Sequence, residues 1–224
     1  MELFEIVENV KNIKKELANG NPFGERVYLV AATKMQTVEA INAAIDGGVD
    51  AVAENKVQEF RDKTESLAPC PQHFIGHLQT NKVKYLVGKI DLFHSCDRYE
   101  LAAEIARLSC VRGVVSNVLI QVNAGSEETK GGFSLDEAWS AYERLSSTEG
   151  LCVKGFMAML PASEDCVLLA ALADRMRALF DRAREKDAKI EFLSMGMSGD
   201  YKLCIEHGSN MIRVGSTIFG KRNY

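Results

Sequence analysis

Leu3, Ile6, Val7, Val10, Ile13 and Leu17 recur at helical spacing with Glu and Lys between them, and Gly20 follows as a stop. An amphipathic leading helix is expected over about residues 1–19. The period then changes. Residues 26–33 (RVYLVAAT) form a short apolar run rich in β-formers, after which Val38, Ile41 and Ile45 return to helical spacing before the terminator Gly47-Gly48. That is one strand–helix unit. The same alternation predicts further strands near residues 51–53, 73–75, 92–94, 117–122, 153–158, 191–194 and 211–214, eight in all. Between them, Asp97 with Glu100 and Ser134 with Glu137 have capping-box spacing, and Ser163 precedes the acidic pair Glu164 and Asp165.

Strands separated by helices need crossover connections, so the sheet should be parallel, and near-continuous apolar strands such as residues 27–32 suit burial on both faces. Strict alternation of eight units predicts an α/β fold, a single (β/α)8 TIM-type barrel with an extra N-terminal helix. An open doubly wound sheet is the alternative, but no GxGxxG follows the first strand. One domain over residues 1–224 is expected, residues 19–24 being a plausible joint after the leading helix.

Composition narrows the function classes. With 46% hydrophobic and 26% charged residues the chain should fold around a packed core. The net charge of -4 and the absence of a basic run give no general attraction to nucleic acid or anionic lipid. The N-terminus, Met1-Glu2-Leu3-Phe4-Glu5, lacks the basic and apolar regions of a secretory signal, and no apolar stretch approaches bilayer length, so a cytoplasmic, membrane-free protein is expected. The six cysteines contain no CxxC pair and read as reduced, mostly buried thiols.

In such barrels the working residues lie at the carboxyl ends of strands, and phosphate groups bind at the loops after the seventh and eighth. Lys34 stands at the end of the first strand behind small Ala31, Ala32 and Thr33. A partly shielded amine loses proton affinity and becomes a nucleophile towards aldehydes, so a Schiff base is one reading, and a lysine reaching to solvent is the other. After the seventh strand, Met195-Gly196-Met197-Ser198-Gly199 leads to a helix beginning near Asp200; after the eighth, Arg213-Val214-Gly215-Ser216-Thr217 repeats the pattern. Glycine allows close backbone approach and helix starts offer N–H groups, so the two loops together suggest a phosphate cup. Arg213, aimed into the mouth by period-two alternation, either meets Glu54 in an internal salt bridge or binds a ligand nitrogen or oxygen. His73 and His77 lack nearby carboxylate ligands, so no metal site is expected; His77 reads as a pocket wall, and His94 and His207 carry no legible signal.

These residues fall in blocks: LVAATK (29–34), ENKVQE (54–59), HFIGHLQTNK (73–82), KGFMAM (154–159), LSMGMSGDY (193–201) and IRVGSTIFGKRNY (212–224). In that order they resemble the YggS-type (PROSC) pyridoxal phosphate homeostasis proteins along nearly the whole chain. The resemblance implies a barrel like the N-terminal domain of bacterial alanine racemase, with pyridoxal 5'-phosphate as a Schiff base on Lys34. It also implies that Ser198, Gly215 and Ser216 hold the phosphate, that Arg213 approaches the pyridine nitrogen, and that Asn55, His77 and Met157 line the ring. The chain departs from the family's usual Gly-Glu-Asn-Tyr in having Ala53-Glu54-Asn55-Lys56, has Gln72 in place of a frequent aromatic, and is looser over residues 123–132.

The function expected is a cofactor carrier or regulator in vitamin B6 and amino-acid homeostasis, with cofactor-dependent apo-enzymes as partners and no catalytic turnover of its own. Racemisation needs bases on both faces of the substrate, and the sequence ends at Tyr224, directly after the eighth unit, without a dimer-building domain; a monomer is expected. An always-charged Arg213 would also leave the ring nitrogen unprotonated and the ring a weaker electron sink. A racemase-like enzyme and a Schiff-base aldolase are the alternatives.

Overall fold

The computed structural model describes residues 1–125, 127 and 131–220, so part of the loop at 123–132 and the end of the block at 212–224 lie outside the described residues. Helix α1 (Leu3–Glu16) precedes β1 (Tyr28–Ala32), α2 (Val38–Asp46), β2 (Ala51–Glu54), α3 (Val57–Lys63), β3 (Gln72–Phe74) and β4 (Leu92–Cys96). The chain continues through α4 (Tyr99–Arg112), β5 (Ser116–Asn123), β6 (Phe133–Ser134), α5 (Leu135–Ser146), β7 (Leu151–Ala158), α6 (Cys166–Lys186), β8 (Phe192–Ser194), α7 (Tyr201–Glu206), β9 (Met211–Val214) and α8 (Ser216–Phe219). Every strand pairing is parallel. The order β4-β3-β2-β1-β9-β8-β7-β5 closes on itself because β4 also pairs with β5, giving an eight-stranded TIM-type barrel.

Alternation is less strict than the sequence suggests. The connection from β3 to β4 carries a short 3-10 helix, Thr80–Tyr85, in place of an α-helix, and β6 adds two residues beside the end of β5. Along the barrel strands, Val30, Ala51, Ala53, Leu92, Leu119, Met157 and Met211 point inward and pack as one cluster, while the opposite faces pack under the helices. Burial on both sides explains why these strands read as continuous apolar runs. Between Val118 and Leu119 of β5 the register with β7 slips by one, leaving Lys154 as the extra residue of a bulge. Gly155 follows it at φ 142°, and a Cβ there would stand 1.9 Å from the Phe192 carbonyl oxygen. Only glycine lets β8 approach at this point.

Helix α1 buries Ile6, Val10 and Ile13 against α2 and α8, as its spacing requires, and Leu3 stays exposed. Lys14 ties it to Asp50 at 2.9 Å, and Asn9 Nδ2 donates to the Ile218 carbonyl at 3.1 Å. Ser134 and Glu137 form the reciprocal cap foreseen for α5. Asp97 and Glu100 do not. The cap residue of α4 is Arg98, because Asp97 is buried and its carboxylate is taken by His77 and Arg98. At α6 the capping oxygen belongs to Asp165, which accepts from Val167 and Leu168 N–H groups at 3.0 Å. The six cysteines are free thiols, but only Cys96 and Cys204 are buried; Cys110 and Cys166 are exposed on helices. Among the described residues no helix is long and apolar enough to cross a membrane.

Candidate functional site

Lys34 lies two residues past β1, half-buried, and its amine makes no hydrogen bond or ion pair with any described residue. The backbone around it is held firmly. Met35 sits at φ 63°, a left-handed conformation that costs a non-glycine residue on the order of 1 kcal/mol, and its N–H donates to Glu59 Oε2 at 2.6 Å. Lys63, one turn further along α3, bridges Glu59 at 2.7 Å and Glu54 at 2.9 Å and reaches the Thr33 carbonyl. The Thr33 hydroxyl donates to Glu54 Oε1 at 2.7 Å. Burial raises the Glu54 carboxyl above its ordinary value, against the pull of Thr33 and Lys63. Glu59 is held below its ordinary value because the bonds from Lys63 and Met35 outweigh a burial penalty.

Arg213 is 4% exposed, on the inward face of β9. The salt bridge to Glu54, one of its two expected roles, is absent. Glu54 shares the parity of Val52 and points outward beneath α3, whereas Arg213 points inward, so the barrel wall separates them. The guanidinium instead donates from Nη1 to the Ser194 carbonyl at 2.9 Å and hydroxyl at 2.6 Å, and from Nη2 to the Ala158 carbonyl at 3.0 Å. Burial lowers it to about 10, so it stays charged at neutral pH without a carboxylate partner among the described residues. Its Nε–H donates to no described residue.

The two glycine-serine loops meet as expected. Ser198 Oγ accepts from the N–H groups of Gly215 and Thr217, each at 3.3 Å, so backbone donors of the β9–α8 loop converge on a hydroxyl of the β8–α7 loop. Gly215 also sits against Ala32, 3.5 Å from its carbonyl oxygen if given a Cβ, which places the cup beside the strand that carries Lys34. Ser216 opens α8 and is exposed. A cleft of about 770 Å³, lined by Leu160, Pro161, Met197, Ser198 and Thr217, flanks the cup.

Asn55 follows β2, adjacent to β1, and its Oδ1 is buried with no hydrogen-bond partner among the described residues. Met157 is 1% exposed in the inner cluster and forms part of the barrel floor below the mouth. His77 stands apart: it is exposed on the loop after β3, with Nδ1 2.9 Å from Asp97, and borders a separate cleft of about 330 Å³ with Asn55, Lys82 and Tyr85. Thus Lys34, Ser198, Arg213, Gly215 and Ser216 gather at the mouth, Asn55 and Met157 adjoin it, and His77 lies outside it, on the separate cleft. His73 and His77 do not converge, since His73 turns into the barrel to meet His94 at 3.0 Å. Sequence reasoning passed over His94 and Ser194, although His94 shares the inward parity of Leu92 in the otherwise apolar strand LFHSC.

Sequence and structure comparisons agree. The family model described as alanine racemase, N-terminal domain, matches residues 2–223. A "Pyridoxal phosphate homeostasis protein" of Aquifex aeolicus is 40% identical over 199 residues, 88% of this chain and 87% of the relative. A crystal structure of a protein from Bifidobacterium adolescentis superposes with a TM-score of 0.90 at 31% identity, covering 97% of this chain and 95% of that one. PipY of Synechococcus elongatus, solved with PLP bound, gives 0.82 at 27% identity, covering 96% of this chain and all of that one. The chain therefore belongs to the alanine racemase N-terminal domain family and, within it, to the pyridoxal phosphate homeostasis proteins.

Proposed function

We propose that this protein binds pyridoxal phosphate at the carboxyl-terminal mouth of the barrel, holds it as a Schiff base on Lys34, and serves vitamin B6 and amino-acid homeostasis as a carrier or regulator. The observation that carries the reading is a lysine amine beside converging backbone N–H donors and a buried, charged arginine, the amine unpaired and the arginine without a carboxylate partner among the described residues. Such a site lacks negative charge and an aldehyde, and a phosphorylated aldehyde brings both. The orphaned Asn55 Oδ1 fits too, as an acceptor waiting for a donor. When bound, the cofactor supplies an aldehyde that condenses with an amine and a conjugated ring that withdraws electrons.

The residues divide that work. Lys34 provides the amine, and the Glu59–Lys63 clamp on Thr33 and Met35 fixes where it emerges. Ser198, Gly215 and Ser216 offer the hydroxyl and backbone donors suited to a phosphate at a turn into a helix. Arg213 offers its uncommitted Nε–H to the ring nitrogen, and since a guanidinium only donates, that nitrogen is kept unprotonated. Asn55 and Met157 bound the ring. The names of the relatives support a homeostasis role; cofactor-dependent apo-enzymes as recipients and a cytoplasmic, monomeric protein belong to the same proposal.

One preparation tests both halves of this reading. Borohydride reduction of the cofactor-loaded protein, followed by peptide mass analysis, is expected to label Lys34 alone; a label on Lys82 or Lys202 instead would refute the site. The unreduced portion, incubated with L-alanine in heavy water, is expected to show no D-alanine and no α-deuterium beyond that caused by free pyridoxal phosphate. Rapid racemisation that disappears in Lys34→Ala would make the protein an enzyme.

A further inference from the structure

A chain of hydrogen bonds runs across the barrel interior from the site arginine towards the amino-terminal mouth. His94, 0% exposed on β4, lies between Ser194 and His73: its Nδ1 is 3.3 Å from Ser194 Oγ and its Nε2 is 3.0 Å from His73 Nδ1. Ser194 Oγ in turn receives Arg213 Nη1 at 2.6 Å. His73 borders a cavity of about 290 Å³ lined by Tyr28, Asp91, Asn117 and Met211, residues at or near the amino-terminal ends of the strands.

The direction of this chain follows from its first member. Arginine can only donate, so the Ser194 oxygen accepts from Arg213 and has one proton of its own to give. Ser194 is wholly buried, and the remaining partner of that oxygen among the described residues is His94 Nδ1. Pairing that buried proton requires His94 Nδ1 to be the acceptor. A neutral imidazole carries one proton, which therefore sits on Nε2 and is donated to His73 Nδ1, leaving the His73 proton on Nε2. Both rings are kept neutral by burial, which lowers His73 to about 4 and His94 well below its ordinary value.

We propose that His94, acting through Ser194, is the positioning residue for Arg213: by accepting the Ser194 proton it turns that oxygen's lone pair to the guanidinium and so aims the arginine at the ring nitrogen of the ligand. Without an acceptor at position 94 the Ser194 proton is left unpaired in a buried site and its hydroxyl is free to turn that proton towards the arginine, where it opposes the bond. The inference rests on the pyridoxal phosphate reading for the identity of the ligand, but the direction of the relay does not.

Two variants separate positioning from packing. Glutamine can accept from Ser194 through its carbonyl and donate to His73 through its amide, reproducing the polarity of His94; phenylalanine fills the ring's space and does neither. In the ligand-free protein, long-range proton–nitrogen NMR is expected to find His94 and His73 both protonated at Nε2. In protein loaded with ring-15N pyridoxal phosphate, the nitrogen signal is expected in the unprotonated range for wild type and His94→Gln. In His94→Phe it should shift towards the protonated range, with about tenfold weaker retention, as for one lost hydrogen bond to a charged group. Should His94→Phe fail to fold, Ser194→Ala, which removes only the hydroxyl, is expected to give the same nitrogen shift. A proton on His94 Nδ1, or a wild-type nitrogen signal in His94→Phe or Ser194→Ala, overturns the proposal. Failure of Lys34 labelling would instead strike the ligand reading and leave the tautomer result standing.

Discussion

His73 shows how much a single buried side chain couples to conditions outside. Burial lowers it to about 4 against an ordinary 6.5, with Asp91 pulling weakly the other way. Between those values the unfolded chain takes up a proton that the folded chain refuses, so stability is unaffected above about pH 6.5 and falls as the pH drops towards 4. Urea unfolding of the wild type between pH 7.5 and 4.5 should therefore show a loss about 2–3 kcal/mol larger than that of His73→Gln. Equal losses would mean that His73 is not the group that titrates. At this scale the positions of Lys34 past a strand end and of Arg213 on an inner face were legible, because strand ends and period-two alternation place them, whereas Glu54 is not the partner of Arg213. Parity along β2 turns Glu54 to the outer face of the wall and parity along β9 turns Arg213 to the inner one. The role of His94 was not legible, since Ser194 lies 100 positions away in the chain.

Elements convert these single contacts into a site. The β8–α7 and β9–α8 loops are joined through Ser198, whose hydroxyl collects two backbone N–H groups from the other loop. Ser198→Ala removes both this bridge and a donor for an anion, so retention of pyridoxal phosphate should weaken by roughly 1–2 kcal/mol with the fold intact. Titration by the cofactor's absorbance measures it, and unchanged affinity would move the phosphate elsewhere. Strand and helix positions were legible to within a few residues, because burial on both faces and amphipathic spacing are local signals. Capping was legible only in part: Ser134 and Glu137 are free to cap each other, but Asp97 is drawn away by Arg98 and His77, a competition that spacing cannot show.

In the whole molecule, α1 is set into the barrel's outer layer by more than its amphipathic face. Ile6, Val10 and Ile13 are buried, Lys14 reaches Asp50, whose carboxylate also accepts the Leu29 N–H of β1 at 2.7 Å, and Glu16 accepts from Tyr201 at 2.9 Å. Three fully buried aliphatic side chains contribute on the order of 5 kcal/mol, comparable with the net stability of a domain. Deleting residues 1–19 should therefore abolish cooperative urea unfolding or lower its free energy by several kcal/mol. A truncated chain as stable as the full one would show α1 to be a detachable appendage, as the soft joint at 19–24 allows.

Alternating apolar periods determine, from sequence alone, that strands and helices take turns, that the sheet is parallel, and which residues stand at its carboxyl ends, because each of these depends on a residue and its near neighbours. Closure of β4 on β5, the slipped register before Gly155, the turning of Glu54 to Lys63 and of Arg213 to Ser194, and the line of His73, His94 and Ser194 through the barrel were decided only in the folded molecule. Each of them joins residues whose meeting depends on how eight strands share one interior, which no stretch of near neighbours specifies.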